Sequence, residues 1–396
     1  MTVTAIPRLK DYQGPALLSY GFRPFFFLST IFSGVAVPLW LCAYYGEIAP
    51  GGLFAPRDWH IHEMIYGYVP AVLAGFLLTA IPNWTGRMPL QGTPLLVLVC
   101  TWLVGRLAIL ASAALGWIST AMLDGLFLWL LLAVTLREII AGRNWRNLRM
   151  SAIVALLASG NLAFHLELHF TGVADISPRL GLAVIVLMIS VVGGRIIPSF
   201  TRNFLMKFGS AGRLPAGFGR FDAATILISI VALALWVASL DFEAGAWLLL
   251  GAGVLQSIRL GLWAGERTMD EPLVIVLHAG YAFIPIGFLL TGLADLGVVA
   301  RGAGIHAWAG AIALVTLAVM TRASLGHTGR PLHAGWATSL IYAAAVFAVV
   351  ARITGALVDG WAPALLPMAG IAWVLAFVGF IASYGPMLLR PSRSPV

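Results

Sequence analysis

The stretch "DWHIHEMIYGYVPAVLAGFLLTAIPNWTG", residues 58–86, decides the class of fold. After its first few residues it is almost wholly apolar, and about 20 apolar residues in a helix cross the ~30 Å hydrocarbon core of a bilayer. His60, His62 and Glu63 stand at its head. A charged or protonatable side chain in lipid costs several kcal/mol unless it is paired or bound, so such residues are functional candidates. The stretch therefore predicts a membrane-spanning helix that begins at a functional site.

Comparable apolar runs recur along the whole chain of 396 residues, of which 60% are hydrophobic and only 10% charged. Soluble domains carry about 25% charged residues. The sequence predicts an all-α, polytopic integral membrane protein with a single transmembrane domain over residues 1–396. Its twelve predicted spans cover about residues 25–46, 61–82, 93–116, 119–140, 149–172, 178–199, 222–241, 244–263, 272–295, 304–323, 336–356 and 363–386.

The distribution of positive charge predicts the orientation of these spans. If the N-terminus is cytoplasmic, most of the 24 Lys and Arg residues fall on the cytoplasmic side. Only Arg57, Arg179, Arg301 and Arg352 then fall outside, and Arg106 lies in mid-membrane, which is the asymmetry of the positive-inside rule. We therefore predict a cytoplasmic N-terminus over residues 1–24 and a cytoplasmic tail over 387–396. The net charge of +8 reflects topology and does not indicate nucleic acid.

A weak internal repeat accompanies the spans. Spans 2, 6 and 10 end in the related phrases "AIPNWTGRMPL", "RIIPSFTRN" and "AVMTRASLGHTGRPL". Recurrence every four helices predicts three four-helix units in a pseudo-threefold arrangement, similar to subunit I of haem–copper oxidases. The alternative is that Thr, Gly, Arg and Pro merely suit the inner ends of helices.

Most of the eight histidines are predicted to lie near the outer surface, and they are the candidate metal ligands. His165 and His169 are four residues apart, so their imidazoles leave one face of a helix. His62 shares a helical face with Tyr66, which makes it the inward candidate. Imidazole suits haem iron, copper and zinc, whereas the alternative for each residue is an interfacial histidine bonded to a carbonyl. The candidates are His60, His62, His165, His169, His278 and His306.

Acids and arginines supply the remaining candidate groups. Glu63, Tyr66 and Glu167 are predicted to carry protons at the outer side. Arg23, Arg106 and Arg195 are candidates for cofactor binding, because an arginine fork suits a carboxylate such as a haem propionate. For Arg106 a plain ion pair with Asp124 or Glu63 is an equal alternative.

The phrases "GFRPFF", "WHIHEMIYGY", "AGFLLTAIPNWTGR", "GGRIIPSFT" and "LAVMTRASLGHTGRPL" together resemble the NnrS family of bacterial membrane proteins, from Gly21 to about Leu332. The resemblance implies twelve spans in the bacterial inner membrane, haem and copper as cofactors, and a link to denitrification and nitric oxide stress. The chain lacks the adjacent histidine pair and the H-P-E-V motif of haem–copper oxidases. A copper site of that type would have to be assembled differently.

Two functions follow as expectations. In the first, the protein protects against nitric oxide, or another small gas, by binding or reducing it at a histidine-ligated metal near the periplasmic side, with an unknown electron donor and membrane lipid as partners. In the second, it is a transporter or a haem- or metal-handling protein without redox turnover. Interrupted helices are typical of transporters, and Gly193, Gly194 and Pro198 predict such an interruption in span 6.

Overall fold

The computed structural model describes residues 12–48, 52–208, 212–238 and 243–392, and all regular structure within these ranges is helical. Among the described residues, twelve helices are long and apolar enough to cross a membrane, which confirms the predicted fold class. They are α1 (Phe22–Tyr44), α2 (Pro56–Thr85), α3 (Thr93–Leu110), α4 (Ser112–Ala141), α5 (Leu148–Thr171), α6 (Ile176–Lys207), α7 (Arg220–Val237), α8 (Glu243–Gly261), α9 (Pro272–Asp295), α10 (Gly302–His327), α11 (Trp336–Leu357) and α12 (Ala362–Leu389).

Several helices extend beyond the apolar runs that predicted them. The helix α2 begins at Pro56, where proline suits the first helical position because its missing N–H is not needed there. The helix α6 continues to Lys207. Hydropathy marks only the part of a helix that lies in hydrocarbon, so polar turns at its ends are missed. The ends of α1 and α12 likewise reach into the residues predicted as terminal tails.

The predicted interruption of span 6 is wrong. The helix α6 is continuous through Gly193, Gly194 and Pro198. A break does lie within the first turns of α4, where Gly116 has φ 74° and ψ 163°. Only glycine adopts this region readily, and the sequence-based boundary falls at the same place.

The described residues divide into two compact units. The first comprises the described parts of Met1–Gly181, Val319–Leu332 and Phe377–Val396. Within it α1 packs on α2, α3 on α4, and α4 on α5. Arg23 is buried and donates to the backbone carbonyls of Met387, Leu388 and Arg390 at 3.2, 2.9 and 2.6 Å. It therefore caps the carbonyl end of α12, whose last carbonyls have no helical partner.

The second unit comprises Leu182–Ala318 and His333–Ala376. Here α7 packs on α8, and α8 on α9. Arg259 is fully buried and pairs with Asp222 at 2.7 Å, while its Nη1 donates to the Tyr281 hydroxyl at 2.8 Å. Gly194 leaves room for this guanidinium, because a Cβ at that position would overlap Arg259 Nη2. Close approach, and not helix interruption, explains the glycine.

The pseudo-threefold arrangement, the single transmembrane domain and the side of the membrane on which each end lies stay predictions. Of the basic residues that predict the orientation, Arg8, Lys10 and Arg393 lie outside the described residues.

Candidate metal centre

The second span changes its helical register at the stretch that opened the sequence analysis. Pro56–His62 is α-helical, Glu63–Tyr68 forms a π-helix, and Val69–Thr85 is α-helical again. The Val69 N–H bonds to the carbonyl of Met64, five residues back. Pro70 favours this register, because its missing N–H could not serve the carbonyl four residues back in an α-helix. π-Helical turns are rare and often lie at functional sites.

The π-helix places His62, Glu63 and Tyr66 inside the first unit, where each is at most 1% exposed. Gly67 in the same turn allows the close approach of Arg106, which a Cβ there would block. The Trp102 indole donates to the Gly67 carbonyl at 2.9 Å. Thus α3 is held against the π-helix by two side chains.

Arg106 joins two buried carboxylates. Its Nη1 pairs with Glu63 Oε1 and its Nη2 with Asp124 Oδ1. This is the ion pair that the sequence left as an alternative, and it involves both acids at once. Both terminal nitrogens of Arg106 are therefore directed at protein carboxylates.

The second oxygen of Asp124 is the centre of the cluster. Asn161 Nδ2 donates to Asp124 Oδ2 at 2.8 Å, His165 Nε2 lies 2.9 Å from the same oxygen, and His62 Nε2 lies 3.2 Å from it. Asn161 Oδ1 lies 2.9 Å from His62 Nε2. Asn161 and His165 are four residues apart on α5, so they leave the same face of the helix.

The geometry of His62 selects the nitrogen that faces Asp124. Its Nδ1 lies 3.0 Å from Glu63 Oε1. A carboxylate beside one ring nitrogen fixes the proton there and leaves the other nitrogen as a lone-pair donor, which is the usual arrangement behind metal-ligating histidines. His62 Nε2 faces two acceptor oxygens, Asn161 Oδ1 at 2.9 Å and Asp124 Oδ2 at 3.2 Å, so this position suits either a proton or a metal cation in its place.

One ligand atom each from His62, Asp124 and His165 lies within 4.8 Å of the others, and all three residues are buried. Neighbouring ligands of an ion with bonds of ~2.0–2.1 Å are about 3–3.4 Å apart. The two ring-nitrogen distances to Asp124 fall close to that spacing. Two imidazoles and one carboxylate without thiolate suit iron(II), copper(II), zinc or manganese. The residues therefore fit a single metal ion.

The charge of the cluster also favours a cation. Glu63 and Asp124 bring two carboxylates, whereas Arg106 brings one positive charge. With both imidazoles neutral the buried cluster has a net charge of −1, and an uncompensated buried charge is costly. Either a proton on an imidazole or a metal cation supplies the missing charge.

The other predicted metal ligands lie in different surroundings. His60 stacks on Trp40 with ring centroids 4.2 Å apart. His169 is exposed and stacks on Trp117 at 4.1 Å, so the α5 pair does not converge as the spacing predicted.

The two remaining histidines lie in the second unit. His278 is buried, with Nε2 2.8 Å from the Thr201 hydroxyl. His306 is half-buried in the first turns of α10. Ligation by His60, His169, His278 and His306 stays a prediction.

The residues predicted for protons and cofactors also separate. Tyr66 donates to the carbonyl of Ser177 at 2.7 Å. Glu167 accepts the backbone N–H groups of Asp175, Ile176 and Ser177, each at 2.8 Å, and so caps the start of α6.

Of the three arginines predicted to bind a cofactor, Arg106 lies in the cluster and Arg23 caps α12. Arg195 is exposed in the second unit. Cofactor binding by these arginines stays a prediction.

Two members of the cluster were not among the predicted site residues. Asp124 was considered only as an ion-pair partner of Arg106, and Asn161 was overlooked. The sequence did carry a signal for Asn161. This polar amide lies within an apolar helix, four residues before His165, just as His169 lies four residues after it, so all three residues share one helical face.

The fold and the cluster define a polytopic helical membrane protein with a candidate metal centre inside one unit. The NnrS protein family model matches residues 16–392, nearly the whole chain, and the chain belongs to that family. This confirms the resemblance seen in the sequence. A comparison with curated proteins finds no match. Family membership supports a membrane protein related to nitric oxide in general terms.

Proposed function

We propose that this protein protects against nitric oxide by binding or reducing it at a metal ion held by His62, Asp124 and His165. The observation that carries the proposal is the convergence of these three side chains, all buried, on a cluster one positive charge short of balance. The positive-inside rule puts their helix ends on the periplasmic side.

The chain's own residues would hold the ion in a defined orientation. Glu63 accepts a hydrogen bond from His62 Nδ1–H, so that His62 Nε2 would face the ion. Asn161 Nδ2 donates to Asp124 Oδ2, and Asn161 Oδ1 lies beside His62 Nε2, so Asn161 positions the two ligand side chains next to each other. Arg106 balances one of the two carboxylates. When bound, a first-row transition-metal ion offers an open position for a diatomic ligand and accepts or donates an electron.

The walls of the site suit an apolar gas. The Phe54 ring lies 5.5 Å from that of His62 and 5.9 Å from that of His165, and the Phe164 ring lies 5.0 Å from that of His62. Nitric oxide is small and uncharged and partitions into lipid, so it reaches such a site through the hydrocarbon.

Reduction of two nitric oxide molecules to nitrous oxide and water takes two electrons and two protons. The electrons come from a donor outside this chain. Glu63, in contact with His62, and Tyr66 are the proposed inner proton carriers. Glu167 contributes by capping α6, which positions the Ser177 carbonyl that accepts from Tyr66.

The donor set fits an ion better than a porphyrin. His62 Nε2 lies in a fully buried cluster beside the Asp124 carboxylate and the Asn161 amide, and both terminal nitrogens of Arg106 are paired with carboxylates. We therefore assign copper or non-haem iron to this cluster. Haem is implied by family membership alone.

Nitric oxide consumption by purified protein with a chemical reductant tests the proposal. His62→Gln and His165→Gln should each remove consumption, or the nitric oxide-dependent change in the spectrum of the metal. His60→Gln and His169→Gln are matched variants on the same two helices. If His169→Gln removes nitric oxide consumption and His165→Gln does not, then His169 is the ligand and the proposed centre is wrong. Tightly bound metal that never responds to nitric oxide would instead support the metal-handling alternative.

A further inference from the structure

A pocket of about 340 Å³ lies where α2 and α4 end in the first unit. The positive-inside rule predicts that these helix ends are cytoplasmic. Two arginines and one glutamate supply its charged groups. The lining residues are Gly86, Arg87, Met88, Pro89, Leu90, Arg137 and Glu138.

The two arginines retain most of their donors. Arg87 gives its Nε to Glu138 Oε2 at 2.5 Å, and Arg137 Nε lies 3.8 Å from Glu138 Oε1. The side chains of Arg87 and Arg137 are 39% and 73% exposed. Glu138 therefore orients Arg87 without using its terminal nitrogens, and the three side chains together keep one positive charge.

The walls of the pocket are fixed by packing between the two helix ends. The Asn144 side chain donates to the Trp84 carbonyl at 2.5 Å. Gly142 lies so close to Thr85 that a Cβ at position 142 would come within 2.5 Å of the Thr85 Cβ. These contacts hold the ends of α2 and α4 together next to the pocket.

Arg137 lies on an exposed, largely apolar stripe of α4. Ile118, Met122, Leu126 and Trp129 are exposed apolar residues at helical spacing. The exposed positions continue through residues 133, 137 and 140. Eleven residues separate Leu126 from Arg137, about 16 Å of helix at 1.5 Å per residue, which is half of a ~30 Å hydrocarbon core. An acyl chain lying on the stripe would bring its headgroup to Arg137.

We propose that this pocket binds the phosphate group of an anionic phospholipid, with Arg87 and Arg137 as the donors. Arginine forks match phosphate geometry, and basic pockets between membrane helices bind anionic headgroups. Glu138 orients Arg87 and limits the positive charge. This role is independent of the metal centre.

Native mass spectrometry of the full-length protein with added phosphatidylglycerol tests the proposal. Arg137→Gln should weaken retention of phosphatidylglycerol about fivefold, and the double variant Arg87→Gln/Arg137→Gln more than tenfold. Arg137→Lys, which keeps the charge, should retain most of the binding. Arg220→Gln is the control, because Arg220 is exposed at the start of α7 and does not line the pocket.

Two further ligands complete the test. Zwitterionic phosphatidylethanolamine should be retained several-fold less than phosphatidylglycerol. Inorganic phosphate distinguishes binding of a lipid headgroup from binding of a free anion. If phosphate alone protected the protein against thermal unfolding as well as phosphatidylglycerol does, the lipid assignment would be overturned. Equal phosphatidylglycerol retention by the wild type and the double variant would overturn the site itself.

Discussion

Replacement of Arg106 by glutamine should destabilise the protein strongly. The side chain of Arg106 is 7% exposed, and those of Glu63 and Asp124 are 2% and 0% exposed. Removing one member of a buried ion pair leaves a charge without compensation and costs about 3–5 kcal/mol. Here two carboxylates lose their shared cation, so we expect the upper part of that range and a melting temperature lower by about 10 °C.

Arg57 provides a matched control within the same unit. It also contacts two carboxylates, Asp58 at 3.3 Å and Asp175 at 2.7 Å, but its own side chain is 54% exposed, and its closer partner Asp175 is 61% exposed while Asp58 is 2% exposed. Exposed pairs contribute about 0–1 kcal/mol. Arg57→Gln should therefore shift the melting temperature by no more than about 2–4 °C.

Thermal unfolding of the purified variants in one detergent measures both effects. A second change, Glu63→Gln in the Arg106→Gln background, should recover part of the loss, because it removes one of the unpaired carboxylates. If Arg106→Gln were no more destabilising than Arg57→Gln, the buried charge cluster would not exist as described.

Two further predictions concern other parts of the chain. Gly194→Ala should destabilise the protein by about 3 kcal/mol, because a Cβ at position 194 displaces the buried Arg259 guanidinium. Gly251→Ala is the control and should be neutral or stabilising, because no atom lies near a Cβ at that position. Equal melting temperatures of the two variants would contradict this packing. Burial raises the pKa of Tyr20 from 10.0 to about 12, and its hydroxyl donates to the Thr79 carbonyl. Because the folded-state pKa is the higher one, this stabilisation is complete below pH 10 and is lost as the pH rises toward 12. Tyr20→Phe should remove that part of the pH dependence of unfolding.

The fold was largely predictable from the sequence, because membrane spans depend on a property that is local in the chain. A run of about 20 apolar residues must be helical in lipid, whatever its neighbours are. Residues 272–295 were predicted exactly for this reason. Position 194 was misread, since its reason is a guanidinium from another helix, and no local pattern reveals such a contact.

The sequence predicted where along the spans the site lies, but not which residues form it. Depth along the spans placed His62, Glu63 and His165 near one surface, because depth follows from topology alone. The direction in which a side chain points around its helix axis does not follow from topology. His169 was therefore expected to converge with His165, but it stacks on Trp117. The π-helix changes rotation within a single turn, which a constant helical period does not reproduce.

The metal content of the purified protein tests the central claim most directly. We predict about one first-row transition-metal ion per chain in the wild type, apart from any haem iron, with an X-ray absorption spectrum of that ion showing two imidazole ligands and a carboxylate. His165→Gln should lose the ion while His169→Gln retains it. Full metal occupancy in both His62→Gln and His165→Gln would contradict the account, because the cluster would then be only a proton-balanced ion-pair network.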